Sequence, residues 1–114
     1  MRELTVGKNL TAGSSNTIYT VPKGCKAIAT LLMLTNAGGS SKSVTAAWYD
    51  SSDTESVTIL GGHSIGAGSY LMLDQGRMVM DEYDELRITP EAGSTFSVIF
   101  TVEIHQNTSY QNGS

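Results

Sequence analysis

The stretch Thr17–Asn36, TIYTVPKGCKAIATLLMLTN, joins two apolar runs of β character through one tight Pro-Lys-Gly turn. Ile18, Tyr19 and Val21 are β-branched or aromatic, which suits a pleated, half-buried surface. Pro22 cannot donate to a ladder and ends the pairing, and Gly24 supplies the backbone freedom that a corner needs. Ala27 to Leu34 is a continuous apolar run of strand length, expected to be buried on both faces. The unit reads as strand, corner, strand.

Working outward, a second unit of this kind spans Ile65–Ile88, IGAGSYLMLDQGRMVMDEYDELRI. A glycine loop leads into a short run Tyr70–Leu73, a turn at Asp74–Gly76, a run Met78–Met80, an acidic turn, and a final run Leu86–Thr89. Between the units, AGGSSK at 37–42 is a turn-rich loop. Val44, Ala46 and Trp48 then alternate with Thr45, Ala47 and Tyr49, the period-two signature of a half-buried strand. Trp48, the single tryptophan, is expected at the core or its edge with its indole N–H paired. After the SSDT loop comes a run Glu55–Leu60. In Phe96–Ile104, Phe96, Val98, Phe100, Val102 and Ile104 form one almost purely apolar face.

These runs amount to about eight short antiparallel strands at roughly 8 to 12 residue spacing, the pattern of a sandwich or small barrel, and an all-β, jelly-roll-like sandwich is the expectation. Residues 1–16 read as an N-terminal arm or first strand, with Leu4, Val6 and Leu10 its apolar members. Residues 17–104 form the sandwich domain, and 105–114, HQNTSYQNGS, a polar tail. A chain of 114 residues is one domain, able to bury about two-thirds of its unfolded surface.

The two units together resemble small β-sandwich virion proteins of tailed bacteriophages. The resemblance rests on Ile18–Gly24 with Ala27–Asn36, and on Gly66–Leu73 with Asp84–Ile88. Tyr83 stands where that pattern has a turn glycine, and Ile65-Gly66 replaces an apolar-Pro pair, so these two turns are expected to be built differently. The resemblance implies a structural role: a capsid decoration or cement protein that binds the major capsid protein, on the capsid surface of the virion. A neck or tail ring, or a tail-attachment protein, is the alternative within that setting. A carbohydrate-binding or receptor-binding module is the alternative outside it.

Composition bounds the function independently. Asp plus Glu number 11 against 7 Lys plus Arg, for a formal charge of −4 and a pI near 4.9. The chain lacks the basic field that phosphate backbones require, so direct nucleic-acid binding is not expected. MRELTVGKNL has no apolar core of signal-peptide length, and no stretch approaches the roughly 20 apolar residues of a membrane span. Synthesis in the cytoplasm of a bacterial host and no membrane partner are the expectations. The single cysteine, Cys25, has no intramolecular disulfide partner and reads as a small residue packed at a sandwich end.

No pattern of catalysis stands out. The acidic run Asp81–Glu85 lacks the spacing of an EF-hand loop and reads as a solvated hairpin corner. His63 and His105 are far apart in sequence, without the accompaniment of a zinc motif. GGHSIGAG, residues 61–68, matches neither a phosphate loop nor a nucleophile elbow, and its glycines are expected to turn the chain between strands. The reading is therefore no enzyme, no catalytic residue, no metal and no cofactor.

Sandwich edges must be paired or covered, so self-association is expected, with a homotrimer favoured for a threefold capsid position. Candidate contact residues are Leu4 and Val6, with Tyr70, Tyr83 and Tyr110, because tyrosine gives contact area at small entropy cost.

Overall fold

The computed structural model describes residues 2–106. Among them are nine strands and no helix: β1 Arg2–Asn9, β2 Asn16–Thr20, β3 Cys25–Asn36, β4 Lys42–Asp50, β5 Glu55–Ile65, β6 Tyr70–Leu73, β7 Met78–Met80, β8 Glu85–Pro90 and β9 Phe96–Gln106. The sequence count of about eight rises to nine because 1–16 contains a true strand rather than a loose arm. Every pairing is antiparallel.

Two sheets result. The first has the order β1-β9-β3-β6, with β7 also pairing β3, and the second has the order β2-β8-β4-β5. They pack face to face, and the alternating apolar side chains of each fill the space between. Phe96, Val98, Phe100, Val102 and Ile104 are all buried from one face of β9, and Leu86, Ile88, Val44 and Ala46 answer from the second sheet. In β3, Ala27, Leu32, Leu34 and Asn36 are buried while Ile28, Leu31, Met33 and Thr35 are only half-buried. The expectation of burial on both faces is thus corrected: this strand lines a sandwich with one open outer face.

β5 extends past Leu60 to Ile65, so Gly61 and Gly62 lie inside a strand instead of between strands. The register against β4 slips there, and Gly62 takes φ +60°, the conformation that a glycine bulge requires.

Buried polar groups hold the strand ends. Asn36, fully buried, donates from Nδ2 to the carbonyls of Ser40 and Ile65, both at 2.9 Å, and accepts the Gly38 N–H at Oδ1. Asn16 does the same for the other loop, accepting the Thr11 N–H and donating to the carbonyls of Thr11, Ser14 and Ile88. Glu91 ties the turn after β8 to the start of β4 by accepting the Ser43 N–H at 2.9 Å. That backbone hydrogen bond, helped by Lys42 and the Ser43 hydroxyl, holds its carboxyl below the usual value.

Asn36→Ala strands a buried carbonyl and a loop N–H, and is expected to cost about 3 kcal/mol, read as a lower urea midpoint with unchanged slope. Because the folded-state pKa of Glu91 is depressed, its contribution is present above the unfolded carboxyl pKa and lost as pH falls through the folded value. The melting temperature of Glu91→Gln should therefore lie below wild type at pH 7 and converge with it in acid.

Candidate functional site

The two outer faces differ in chemistry. On the second sheet, Thr17, Arg87, Ala47 and Thr58 lie in one cross-strand row, and Glu85, Tyr49 and Ser56 in the next. The Arg87 guanidinium stacks on the Tyr49 ring, 4.0 Å from its centroid, and bonds Glu85 at 2.8 Å. This face is polar and internally satisfied.

The outer face of the first sheet is mixed: β1 and the distal half of β9 carry polar rows, Glu3 opposite Glu103 and Thr5 opposite Thr101, while β3, β6, β7 and the start of β9 carry apolar ones. Met33 is opposed by Met72 on one side and Ile99 on the other, and Ile28 is opposed by Val79. Directly opposed side chains on one face stand about 5 Å apart, so Met72, Met33 and Ile99 form one apolar row and Val79 and Ile28 another, with Leu31 between them on β3. Met72, Val79 and Ile99 are exposed, and Tyr70, 57% exposed, extends the apolar surface at the end of β6. An exposed apolar surface of this kind marks an interaction site more often than isolated apolar residues do.

A groove lies at the side of the sandwich where β5 faces β6 and β7. The Asp74–Arg77 turn between β6 and β7 leaves β3 without a neighbour at Thr30–Leu31, and a cavity of about 200 Å³ opens there. Leu32, Leu73, Met78, Leu86, Phe100 and Ile59 form its walls, and Gln75 and Arg77 stand at the rim. The volume falls below the roughly 300–1,000 Å³ of small-molecule sites. It suits one large side chain.

The acidic turn departs from expectation. Asp84 is 2% exposed, not solvated. Its Oδ2 accepts the Trp48 indole N–H at 3.1 Å and the Asp81 N–H at 2.9 Å, while Oδ1 accepts the Ser51 N–H at 3.0 Å and the Ser51 hydroxyl at 3.2 Å. Glu82 accepts the Gly24 N–H at 2.8 Å. The turn is therefore pinned to both the Pro22–Gly24 corner and the β4–β5 loop. Trp48, half-buried with its N–H paired, meets its expectation.

Tyr83 sits at φ +69°, the left-handed region in which a glycine is at ease and a bulky residue is strained. The turn keeps the backbone that a glycine would adopt and carries a tyrosine on it, 47% exposed. Its N–H bonds the Val21 carbonyl at 2.8 Å, which holds the strained residue in place.

The remaining predicted contact residues divide. Leu4 and Val6 lie on β1, half-buried and packed against the core. Tyr70 and Tyr83 are exposed on separate parts of the surface, and Tyr110 lies outside the described residues. Cys25 is free and half-buried at the start of β3. Nearby, burial pushes the Tyr19 phenol above its usual pKa, with Cys25 adding to the rise against Arg2. His63 lies on β5 and His105 on β9, in different sheets. Among the described residues, no group of three or more His, Cys, Asp or Glu side chains is placed to hold a metal.

No protein-family model matches the chain, and no curated protein matches it. Among solved structures it is similar to a chain of Bacillus endospore appendages, described as a novel family of disulfide-linked pili. That similarity has a TM-score of 0.54 at 16% identity, over 92% of this chain and 87% of the other. Identity this low speaks to the fold.

Asp84→Asn keeps the shape but places an N–H₂ group against donors that all need an acceptor. A loss of about 2–3 kcal/mol is expected, with a red shift of Trp48 emission as the indole loses its partner. Unchanged stability would mean that the four contacts do not hold the turn.

Proposed function

We propose that the chain is a non-enzymatic structural subunit of an assembled particle, most specifically a decoration protein on the capsid of a tailed phage. The observation that carries this reading is the contrast between the outer faces: that of the second sheet is polar, with Arg87 held by Glu85 and Tyr49, while that of the first exposes an apolar cluster, Met33, Met72, Ile99 and Tyr70, with no covering element among the described residues. Burying the apolar cluster against a larger protein lattice removes apolar surface from water at roughly 25 cal/mol per Å². Leaving the polar face in solvent keeps the assembled surface soluble. The partner is the major capsid protein, met where several subunits adjoin, and an oligomeric decoration protein gains avidity by engaging several equivalent sites at once.

A ring or filament subunit is the second reading, and the strand edges favour it. The two long free edges, β1 and β5, belong to different sheets and end the orders on opposite sides of the sandwich. Contact of one with the other is heterologous, and repeats into a closed ring or an open fibre. The likeness to an appendage protein supports a structural subunit but not the covalent linkage of that protein. One cysteine in 114 residues can join two chains and cannot link a polymer, which needs two per subunit.

The test is binding to expanded, empty capsids of the same phage prepared without the protein. Stoichiometric co-sedimentation is expected, weakened at least tenfold by Met72→Lys with Ile99→Lys while the melting temperature stays close to wild type. Absence of binding, together with rings or fibres in light scattering and negative-stain images, would replace the capsid reading with the second.

A further inference from the structure

The strained turn and the side groove are complementary to one another. Tyr83 presents a large aromatic side chain from a backbone conformation that costs folding energy and that glycine would adopt freely. The bonds that hold the turn, from Asp84, from Glu82 and from the Tyr83 N–H to Val21, do not use the tyrosine ring, so the monomer requires this backbone but not an aromatic side chain on it. The groove is apolar, of single-side-chain size, and continuous with the core through Leu86 and Phe100.

Charge matches as well. Asp81, beside Tyr83, is exposed in an acidic turn, and Arg77 stands at the rim of the groove with its side chain 60% exposed. Arg77 reaches Glu103 at 3.3 Å and, with five N–H donors, has capacity for a second carboxylate. The turn lies between β7 and β8, tied to the Pro22–Gly24 corner and the β4–β5 loop, while the groove lies on the side lined by β5, β6 and β7. One surface is a knob and the other a hole.

We infer that Tyr83 of one copy inserts into the groove of a second copy, with Asp81 paired to Arg77 at the rim. This deepens the self-association within the proposed function and rests on it. The contact is heterologous, so three copies can close into a ring about a threefold axis, as a decoration trimer requires, and other angles give larger rings. A central aromatic seated in a desolvated pocket with an arginine beside it has the composition of an interface hot spot.

Light scattering on the full chain over a range of concentrations tests this. Wild type is expected to form a discrete oligomer. Tyr83→Gly relieves the left-handed strain, so it should melt a few degrees higher yet dissociate at least tenfold more readily. Arg77→Glu should weaken assembly to a similar extent, and Asp81→Arg combined with it should restore assembly. An oligomer unchanged by Tyr83→Gly overturns this contact and leaves the structural reading standing. Loss on Arg77→Glu without loss on Tyr83→Gly overturns Tyr83 as the occupant of the groove. A wild-type chain that stays monomeric at high concentration overturns the contact, and capsid binding by that monomer would still uphold the decoration role.

Discussion

One extra residue in β3 decides much of the molecule. Ala29 pairs with Val102, and Leu32 pairs with Phe100, so between these points β3 advances three residues while β9 advances two. Thr30 is the bulge. Side chains in a strand alternate with period two, so if the same residues ran as a regular strand, with Thr30 paired instead of bulged, Leu32, Leu34 and Asn36 would point to solvent and Met33 to the core. Leu34 and Asn36 are fully buried, and Asn36 holds the following loop, so the bulge keeps both core and loop in register. It also coincides with the gap between β6 and β7, where the groove opens. The buried face and the loop thus share one cause, and the groove opens beside it.

The elements themselves were legible in the residues. Alternation in Phe96–Ile104 and Val44–Trp48 marked strands and their inward faces, and Pro22, Gly24 and the Ser-Asp-Gly clusters marked the turns. What was not legible depends on strands distant in sequence. The bulge at Thr30 follows from matching β3 to β9, some seventy residues later in the chain. The groove depends on the strand order. Asp84 is buried because its turn folds against Trp48 and Ser51, and its neighbours Asp81 and Glu82, alike in composition, do not share that burial. Run composition pointed to solvent; the one hint was an indole N–H in need of an acceptor. The apolar outer row hid inside Ala27–Leu34, where a continuous apolar run disguised a strand with one open face.

The fold separates the tasks that a building block must perform. Polar groups that need satisfying are met internally at the strand ends by Asn16, Asn36 and Asp84, and at the surface by Glu91, which leaves the wide faces free to carry either solvent or protein contact. The short strands β6 and β7 blunt one sheet edge, since three or four residues offer little template for unwanted pairing. Assembly through chosen contacts is then compatible with remaining dispersed before assembly.

The placement of β9 between β1 and β3 sets the order of events during synthesis. The second sheet needs nothing beyond Pro90, so all of its strands exist before β9 has been made. The first sheet has β1 at one edge and β3 on the far side, with no direct neighbour relation until Phe96–Gln106 leaves the ribosome and fills the space. β9 is thus the last strand to be made, and until it is placed the first sheet cannot close over the apolar face of the second. At elongation rates of roughly 5–20 residues per second, synthesis of the segment between Pro90 and Gln106 takes on the order of a second.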